Sequence, residues 1–188
     1  DLITIKEQKE HLAGLDFCYV GDGNNMAHSL MIGLLKCGLN VGIATPDAYK
    51  PDAEIVAYAQ GIAKDNGCNL VLTNDPKVVV KNADVVYTDT WASMGQEDEK
   101  EARAKAFAGY QIDTDMFALA KDDAIFMHCL PAFHDLKTKI GKEIYEKYGL
   151  TEMEVTDEVF EKYADVVFRE AENRMHTIKA VMYVTLPR

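Results

Sequence analysis

The feature that most constrains the fold of this chain is a regular alternation of short strand-like segments with longer helix-like segments. The strand-like segments are apolar and rich in β-branched residues, and apolar residues recur at helical spacing between them. Because parallel strands need a helical crossover between them, this pattern predicts an α/β domain. We expect a Rossmann-like three-layer fold whose central five-stranded parallel sheet is flanked by helices, in the strand order 3-2-1-4-5. The predicted strands are Leu15–Val20, Val41–Ala44, Leu70–Leu72, Asp84–Tyr87 and Ala124–Met127.

Capping residues mark the ends of the predicted helices, because Asn, Asp and Pro favour helix starts and Gly favours helix ends. The last helical pattern runs from about Ala171 to Val184. We therefore expect residues 1–170 to form the α/β domain and residues 171–188 to form a C-terminal helix. The other predicted starts and ends lie at Asn24, Gly38, Pro51 with Asp52, Gly67 and Asp75.

Composition excludes some partners and favours one compartment. With 31 acidic and 20 basic residues, the formal net charge is -11, which leaves no basic face for nucleic acid. No apolar run approaches the roughly 20 residues that cross a bilayer, and DLITIKEQKE (1–10) lacks the features of a signal peptide. The four cysteines show no C-x-x-C spacing, which indicates free thiols rather than disulfides or zinc sites. We therefore expect a cytoplasmic protein.

Polar residues follow three of the predicted strands at the edge where ligands bind in such sheets. In an open parallel sheet this edge is formed by the carboxyl ends of the strands, near the point where the strand order reverses. The first, fourth and fifth strands are neighbours in the predicted order, so we expect their polar stretches to line one cleft. The stretches are GDGNN (21–25), TDTWASMG (88–95) and HCLPAFHD (128–135).

The first stretch begins like the phosphate-binding turn of a dinucleotide enzyme and then departs from it. Gly21 and Gly23 are present, but Met26 stands where a third glycine would let helix and strand pack closely. A nucleotide-dependent oxidoreductase is therefore disfavoured. The carboxamides of Asn24 and Asn25 instead suit a carboxylate ligand at a helix N-terminus, although either residue could simply cap the helix.

The second stretch carries a carboxylate, Asp89, and a hydroxyl, Ser93, in a turn that ends with glycine. A carboxylate at a strand end can hold an ammonium group, and the N–H groups of a turn can hold a carboxylate. Together with Asn25, these residues predict a pocket for a zwitterion such as an amino acid. The alternative is a helix-capping loop with Trp91 packed in the core.

The third stretch joins His128 and Cys129 to a Leu130-Pro131 pair. Adjacent residues of a strand point to opposite faces, so this His-Cys pair cannot easily form a nucleophile and its base. A cysteine hydrolase is therefore disfavoured. Pro131 favours an extended or turn backbone at Leu130, which leaves carbonyl oxygens free to accept from a ligand amide.

Five motifs together give the chain a family resemblance. They are GDGNNMAHSL, YTDTWASMGQE, MHCLPAFHD, MEVTDEVFE and AENRMHTIKAVM, and they span nearly the whole chain. In this order they resemble the ornithine-binding half of ornithine carbamoyltransferases. The SMG tripeptide (93–95) resembles the ornithine-recognition loop of that family, which favours ornithine over putrescine or acetylornithine as the acceptor.

The resemblance implies an ornithine site at the predicted cleft. Asn25, Asp89, Ser93 and Met94 would bind the α-amino and α-carboxylate groups of ornithine. Cys129 would lie near the side-chain amine, and Asp89 would help to orient and deprotonate it.

The resemblance also implies the other half of the reaction. His128 would face the carbamoyl oxygen, the carbonyls of Cys129 and Leu130 would receive the carbamoyl amide, and Arg174 would contact carbamoyl phosphate. The δ-amine of ornithine attacks the carbamoyl carbon, and the tetrahedral intermediate expels phosphate to leave citrulline. No metal or organic cofactor is expected, because the leaving phosphate is already activated, and the enzyme's task is to position the two substrates and stabilise oxyanion charge. The predicted catalytic residues are Asp89, His128, Cys129 and Arg174.

Part of the family's machinery is not found in these 188 residues. A Ser-x-Arg-Thr-Arg stretch and a His-Pro-x-Gln motif, which carry the phosphate grip in the resembled family, do not occur here. We therefore expect the chain to lack the carbamoyl-phosphate-binding domain, on which its last helix would pack, and to turn over little substrate alone. The full-length enzyme would be a homotrimer. Two alternatives stay open, namely a carbamoyltransferase for another amine and a catalytically silent amino-acid-binding module.

Overall fold

The central sheet has the predicted composition and order. A computed structural model describes residues 1–91 and 100–186 of the chain. Its five strands are all parallel and lie in the order β3-β2-β1-β4-β5. Each predicted strand is confirmed to within one residue at either end. The strands are β1 Asp16–Val20, β2 Asn40–Ala44, β3 Leu70–Thr73, β4 Val85–Thr88 and β5 Ile125–His128.

Helices cover both faces of this sheet, which confirms the three-layer α/β fold. Alternate residues of β1 divide between two buried clusters, with Cys18 in the one and Phe17 and Tyr19 in the other. This division is the period-2 alternation of a strand that is buried on both faces. The helices of the described residues are α1 Leu2–Lys9, α2 Asn25–Lys36, α3 Ala53–Asn66, α4 Pro76–Val80, α5 Lys100–Ala106, α6 Thr114–Phe117, α7 Lys139–Tyr148, α8 Asp157–Lys162 and α9 Ala164–Thr185.

The predicted capping residues act at the ends of the helices. Asp52 accepts from two N–H groups at the start of α3, and Gly67 ends that helix with φ 68. Asp75 caps α4, whose first residue is Pro76. A short 3-10 turn, Asp47–Tyr49, follows β2 and carries the chain over the tip of β1.

The last helix is longer than its sequence pattern predicts, because it begins at Ala164 rather than near Ala171. Its first two turns bury Val167 and Glu170, and a buried glutamate interrupts the apolar stripe by which a helix is recognised. The proposed boundary between residues 170 and 171 therefore falls inside α9. In the described ranges, no helix is both long and apolar enough to span a membrane.

Candidate functional site

The turn after β1 is covered by the chain's own backbone. The Gly23 N–H donates to the Tyr49 carbonyl oxygen at 2.9 Å. A side chain at position 23 would collide with the backbone of Tyr49, Lys50 and Pro51. The segment after β2 thus lies where a pyrophosphate would approach a glycine-rich turn. This contact gives a structural reason to exclude a dinucleotide site here.

Asp22, the acidic residue between the two glycines, is neutralised inside the fold. Its carboxylate pairs with the Arg103 guanidinium at 2.6 Å, and both side chains are nearly inaccessible. The guanidinium also lies over the ring of Tyr49, 4.6 Å from the centroid. Asp22 therefore stabilises the turn. The candidate carboxylate for a ligand contact is Asp89, at the tip of the neighbouring strand.

Asn24, and not Asn25, is the capping residue of α2. Its Oδ1 accepts from the N–H groups of Met26 at 2.9 Å and Ala27 at 3.4 Å, and its Nδ2 donates to Asp89 Oδ2 at 3.0 Å. One carboxamide thus fixes both the helix start and the carboxylate. Asn25 is the first residue of α2, and its side chain is exposed at the same end of the helix.

Asp89 and Cys129 meet at the tips of β4 and β5. The Cys129 thiol donates to Asp89 Oδ1 at 3.1 Å, and the Thr90 N–H donates to the same oxygen at 2.7 Å. Burial raises the pKa of the Cys129 thiol far above its ordinary value, and the nearby Asp89 carboxylate raises that pKa further. Cys129 is therefore a neutral thiol at pH 7, and negative charge is concentrated on Asp89.

His128 points to the other side of β5, as strand alternation predicts, and its ring is fully buried. Nδ1 accepts from the Leu130 N–H at 2.9 Å, and Nε2 lies 3.2 Å from Glu154 Oε1. Both ring nitrogens are thus engaged within the fold. The predicted contact of His128 with a carbamoyl oxygen stays a prediction, and it would require the ring to release one of these partners.

A second buried carboxylate ties α9 to the strand tips. Glu170 Oε1 accepts from the Tyr87 hydroxyl at 2.9 Å, and Oε2 accepts from the His128 N–H at 3.2 Å. Burial raises the pKa of Glu170. Arg174 lies one turn further along the helix and is exposed, so Glu170 sets where this arginine stands relative to β5.

One cleft brings most of the described candidates together. It has a volume of about 410 Å³, and its walls include Met26, His128, Cys129, Glu170 and Arg174. Asp89 borders it through its contact with Cys129. A larger cavity of about 620 Å³ lies along α3 and the ends of β2 and β3, away from these residues.

Two predicted ornithine-binding residues, Ser93 and Met94, lie outside the described residues. Trp91, the last residue before that gap, is buried and stacks on Phe107 with ring centroids 5.8 Å apart. Trp91 therefore packs in the core, as the structural alternative for this stretch predicts.

Three polar residues of the site were not identified from the sequence: Asn24 as the partner of Asp89, Glu154 and Glu170. A usable signal existed for Glu170, because it precedes Arg174 by four residues and so shares its side of the helix. Glu154 gave no comparable signal, since it reaches His128 from a distant segment of the chain.

Comparison with known proteins matches this chain to one family. The family model described as "Aspartate/ornithine carbamoyltransferase, Asp/Orn binding domain" matches residues 13–185. A catabolic ornithine carbamoyltransferase from Staphylococcus aureus (strain N315) is 50% identical over 188 residues, which cover 99% of this chain and 56% of that protein. An ornithine carbamoyltransferase from Borreliella burgdorferi (strain ZS7) is 49% identical over 187 residues. The chain thus spans a little over half the length of these curated relatives.

Solved structures give the same result for the fold. Ornithine carbamoyltransferase from Pyrococcus furiosus superimposes with a TM-score of 0.83 at 44% identity, covering 97% of this chain and 53% of that chain. The anabolic ornithine carbamoyltransferase from Campylobacter jejuni gives a TM-score of 0.83 at 39% identity, covering 98% and 55% respectively.

Proposed function

Because the chain belongs to the aspartate/ornithine carbamoyltransferase family, as an Asp/Orn-binding domain, we propose that it is the ornithine-binding half of an ornithine carbamoyltransferase. The observation that carries this proposal is the linked group of Asn24, Asp89 and Cys129 at the tips of three adjacent strands, beside a cleft that Arg174 also lines. The reaction is the transfer of the carbamoyl group from carbamoyl phosphate to the δ-amine of L-ornithine, which gives citrulline and phosphate.

The proposed orientation of ornithine follows from charge. Asn25 is exposed at the N-terminus of α2, where carboxamide and helix N–H groups suit the α-carboxylate. Asp89 supplies the negative charge for the α-ammonium group. Ser93 and Met94 are proposed to bind the same amino-acid end of ornithine. The side-chain amine then lies toward Cys129.

The state of the thiol bears on how the amine loses its proton. An ammonium group cannot attack, and a thiolate beside it would hold it in its charged form. Because Cys129 is a neutral thiol, it does not add this second negative charge. We propose that Asp89, whose oxygens accept from neutral donors, takes the proton of the δ-ammonium group, and that the neutral amine then attacks the carbamoyl carbon.

The donor side of the reaction is proposed to lie between β5 and α9. The Cys129 and Leu130 carbonyls accept from the carbamoyl amide, and Arg174 offsets the charge of the phosphate group. The phosphate grip belongs to a carbamoyl-phosphate-binding domain outside these 188 residues. The exposed apolar side chains of α9 support this pairing, because they offer a surface for that domain. We therefore propose that the chain alone has little or no activity.

The cellular setting is part of the same proposal. Cys18, Cys37, Cys68 and Cys129 are all free, which suits a reducing cytoplasm. We further propose that the full-length enzyme is a homotrimer acting in arginine metabolism. Sedimentation of the full-length protein tests the trimer.

The proposal is tested by measuring citrulline formation. The chain is assayed with ornithine and carbamoyl phosphate, alone and then mixed with a separately produced carbamoyl-phosphate-binding half. Activity only in the mixture is the expected result. Ornithine, putrescine and acetylornithine are then compared as acceptors, and faster turnover of either alternative would reassign the substrate. No product from any acceptor, with both halves folded by circular dichroism, would favour a silent amino-acid-binding module.

A further inference from the structure

We propose that Glu154 is a positioning residue that clamps the segment after β5 and fixes His128 in the Nε2–H tautomer. The clamp is a property of the structure alone. Its consequence for catalysis rests on the proposed function, in which the Cys129 and Leu130 carbonyls of this segment receive the carbamoyl amide.

The Glu154 carboxylate holds two points of that segment with one oxygen. Glu154 is fully buried, and its Oε1 accepts from the Phe133 N–H at 2.7 Å and lies 3.2 Å from His128 Nε2. His128 in turn accepts from the Leu130 N–H through Nδ1 at 2.9 Å. The backbone from 128 to 133 is thus held near its start and at its end by a single glutamate–histidine pair.

These contacts assign the proton on the ring. A backbone N–H can only donate, so the hydrogen bond from Leu130 requires a lone pair on Nδ1. The proton of the neutral ring is then on Nε2, from which it donates to Glu154 Oε1. With protons on both nitrogens, His128 would leave the Leu130 N–H without its acceptor. The arrangement therefore selects a neutral ring with one defined tautomer.

Backbone hydrogen bonds on both sides hold the segment that carries Glu154 in place. The Met153 N–H donates to the Phe133 carbonyl oxygen at 2.8 Å, beside the bond from Phe133 to Glu154. On its other side, the extended segment exchanges backbone hydrogen bonds with Ile112, through the Glu154 carbonyl at 2.9 Å and the Thr156 N–H at 3.1 Å. A carboxylate held in this way moves little, so its two donors are held as well.

The inference gives His128 a different task from the one that the sequence predicts. A ring whose nitrogens serve Leu130 and Glu154 acts on the reaction through the backbone that it orients. The Cys129 and Leu130 carbonyls lie between the two clamped ends. A displacement of such acceptors by about 1 Å can lower a rate by roughly 100-fold.

The first test measures the clamp in the 188-residue chain by NMR, with ¹⁵N-histidine labelling for the His128 tautomer and uniform ¹⁵N labelling for amide exchange. Wild type is expected to show His128 with the proton on Nε2 at neutral pH, assigned with the His128→Gln variant. In Glu154→Leu, the Phe133 and Leu130 amides are expected to exchange with solvent about tenfold faster or more. Glu154→Gln keeps an acceptor oxygen and is expected to restore most of this protection. The exposed Glu158→Gln is the matched control for loss of charge.

Two results would overturn the clamp: a proton on Nδ1 in the wild type, or unchanged exchange at Phe133 in Glu154→Leu. If Glu154→Leu does not fold, the wild-type tautomer still decides the question.

The second test separates this inference from the proposed function. In the enzyme reconstituted from both halves, Glu154→Leu is expected to lower kcat and raise the KM for carbamoyl phosphate, by roughly 10- to 100-fold in kcat/KM. The KM for ornithine is expected to change less than about twofold, because Asp89 is held by other contacts. Equal losses for both substrates would contradict a positioning role. If wild type forms no citrulline, the proposed function fails while the NMR result still decides the clamp.

Discussion

At the scale of single residues, most carboxylates of the site already have partners within the fold, so few of them can bind a charged ligand. Asp22 is neutralised by Arg103, and the carboxylate of Glu170 is held by a hydroxyl and a backbone N–H. Among the residues that the structure describes, the donors to Asp89 are neutral, namely an amide, a backbone N–H and a thiol. A cationic ligand at the strand tips therefore finds its strongest partner in Asp89.

The state of Cys129 makes a prediction that needs no substrate. Because the pKa of its thiol is raised by burial and by Asp89, we expect iodoacetamide to alkylate Cys129 much more slowly than Cys37 or Cys68 at pH 7. Asp89→Asn removes the negative charge, lowers this pKa and speeds alkylation of Cys129 at a given pH. Peptide mass spectrometry measures each cysteine separately, and the exposed Asp65→Asn is the control. Equal rates in Asp89→Asn and wild type would show that the carboxylate does not act on the thiol.

At the scale of elements, α2 is held to the tip of β4 by one carboxamide. We expect Asn24→Ala to lower the free energy of unfolding by about 1–2 kcal/mol, since the helix loses its cap and Asp89 loses a donor. The neighbouring Asn25→Ala is expected to leave stability within about 0.5 kcal/mol and to weaken ornithine binding instead. Urea denaturation and calorimetric titration with ornithine separate the two effects. The reverse pattern would assign the cap and the ligand contact the other way round.

These two asparagines also show which features of the fold and the site can be predicted from the sequence. The strand–helix alternation is local, so the five strands and several caps follow from it directly, whereas their order rests on the usual topology of doubly wound sheets. That one of the two asparagines caps α2 is also predictable, whereas its bond to Asp89 is not, because 65 positions separate them. Glu154 and His128 present the same difficulty. The early start of α9 was missed because Glu170 is buried by partners on β4 and β5, which no local pattern contains.

The link between α9 and the sheet has a pH dependence. The folded-state pKa of Glu170 is raised by burial, so its contribution to stability is fully present below the unfolded-state pKa and is lost as the pH rises through the folded-state value. We therefore expect the free energy of unfolding of the wild type, measured relative to Glu170→Gln, to fall as the pH rises from about 4 toward neutrality. Urea titrations at a series of pH values measure this difference. A difference that increases with pH would mean that the Tyr87 and His128 contacts outweigh burial.

At the scale of the whole molecule, α9 joins two roles. Its first turns hold the strand tips through Glu170, and its last turns present an apolar stripe of large, at least half-exposed side chains, namely Met175, Ile178, Met182 and Leu186. Large exposed side chains at helical spacing mark an interaction surface. Because Arg174 lies between the two regions, a domain that packs on the stripe would meet the side of the cleft that is proposed to hold the phosphate group.

The stripe therefore predicts that activity of this chain mixed with the carbamoyl-phosphate-binding half depends on the apolar surface of α9. Ile178→Lys places a charge in the middle of the stripe, where burial against a partner would leave it unpaired at a cost of several kcal/mol. We expect this variant to keep the stability of the isolated chain, since Ile178 is half-exposed there, and to lose at least about 90% of the citrulline activity of the mixture. Ala180→Lys adds the same charge on a different side of α9 and is expected to retain activity. If both variants complement equally well, the carbamoyl-phosphate-binding domain packs elsewhere, and Arg174 must reach the phosphate without the help of this helix face.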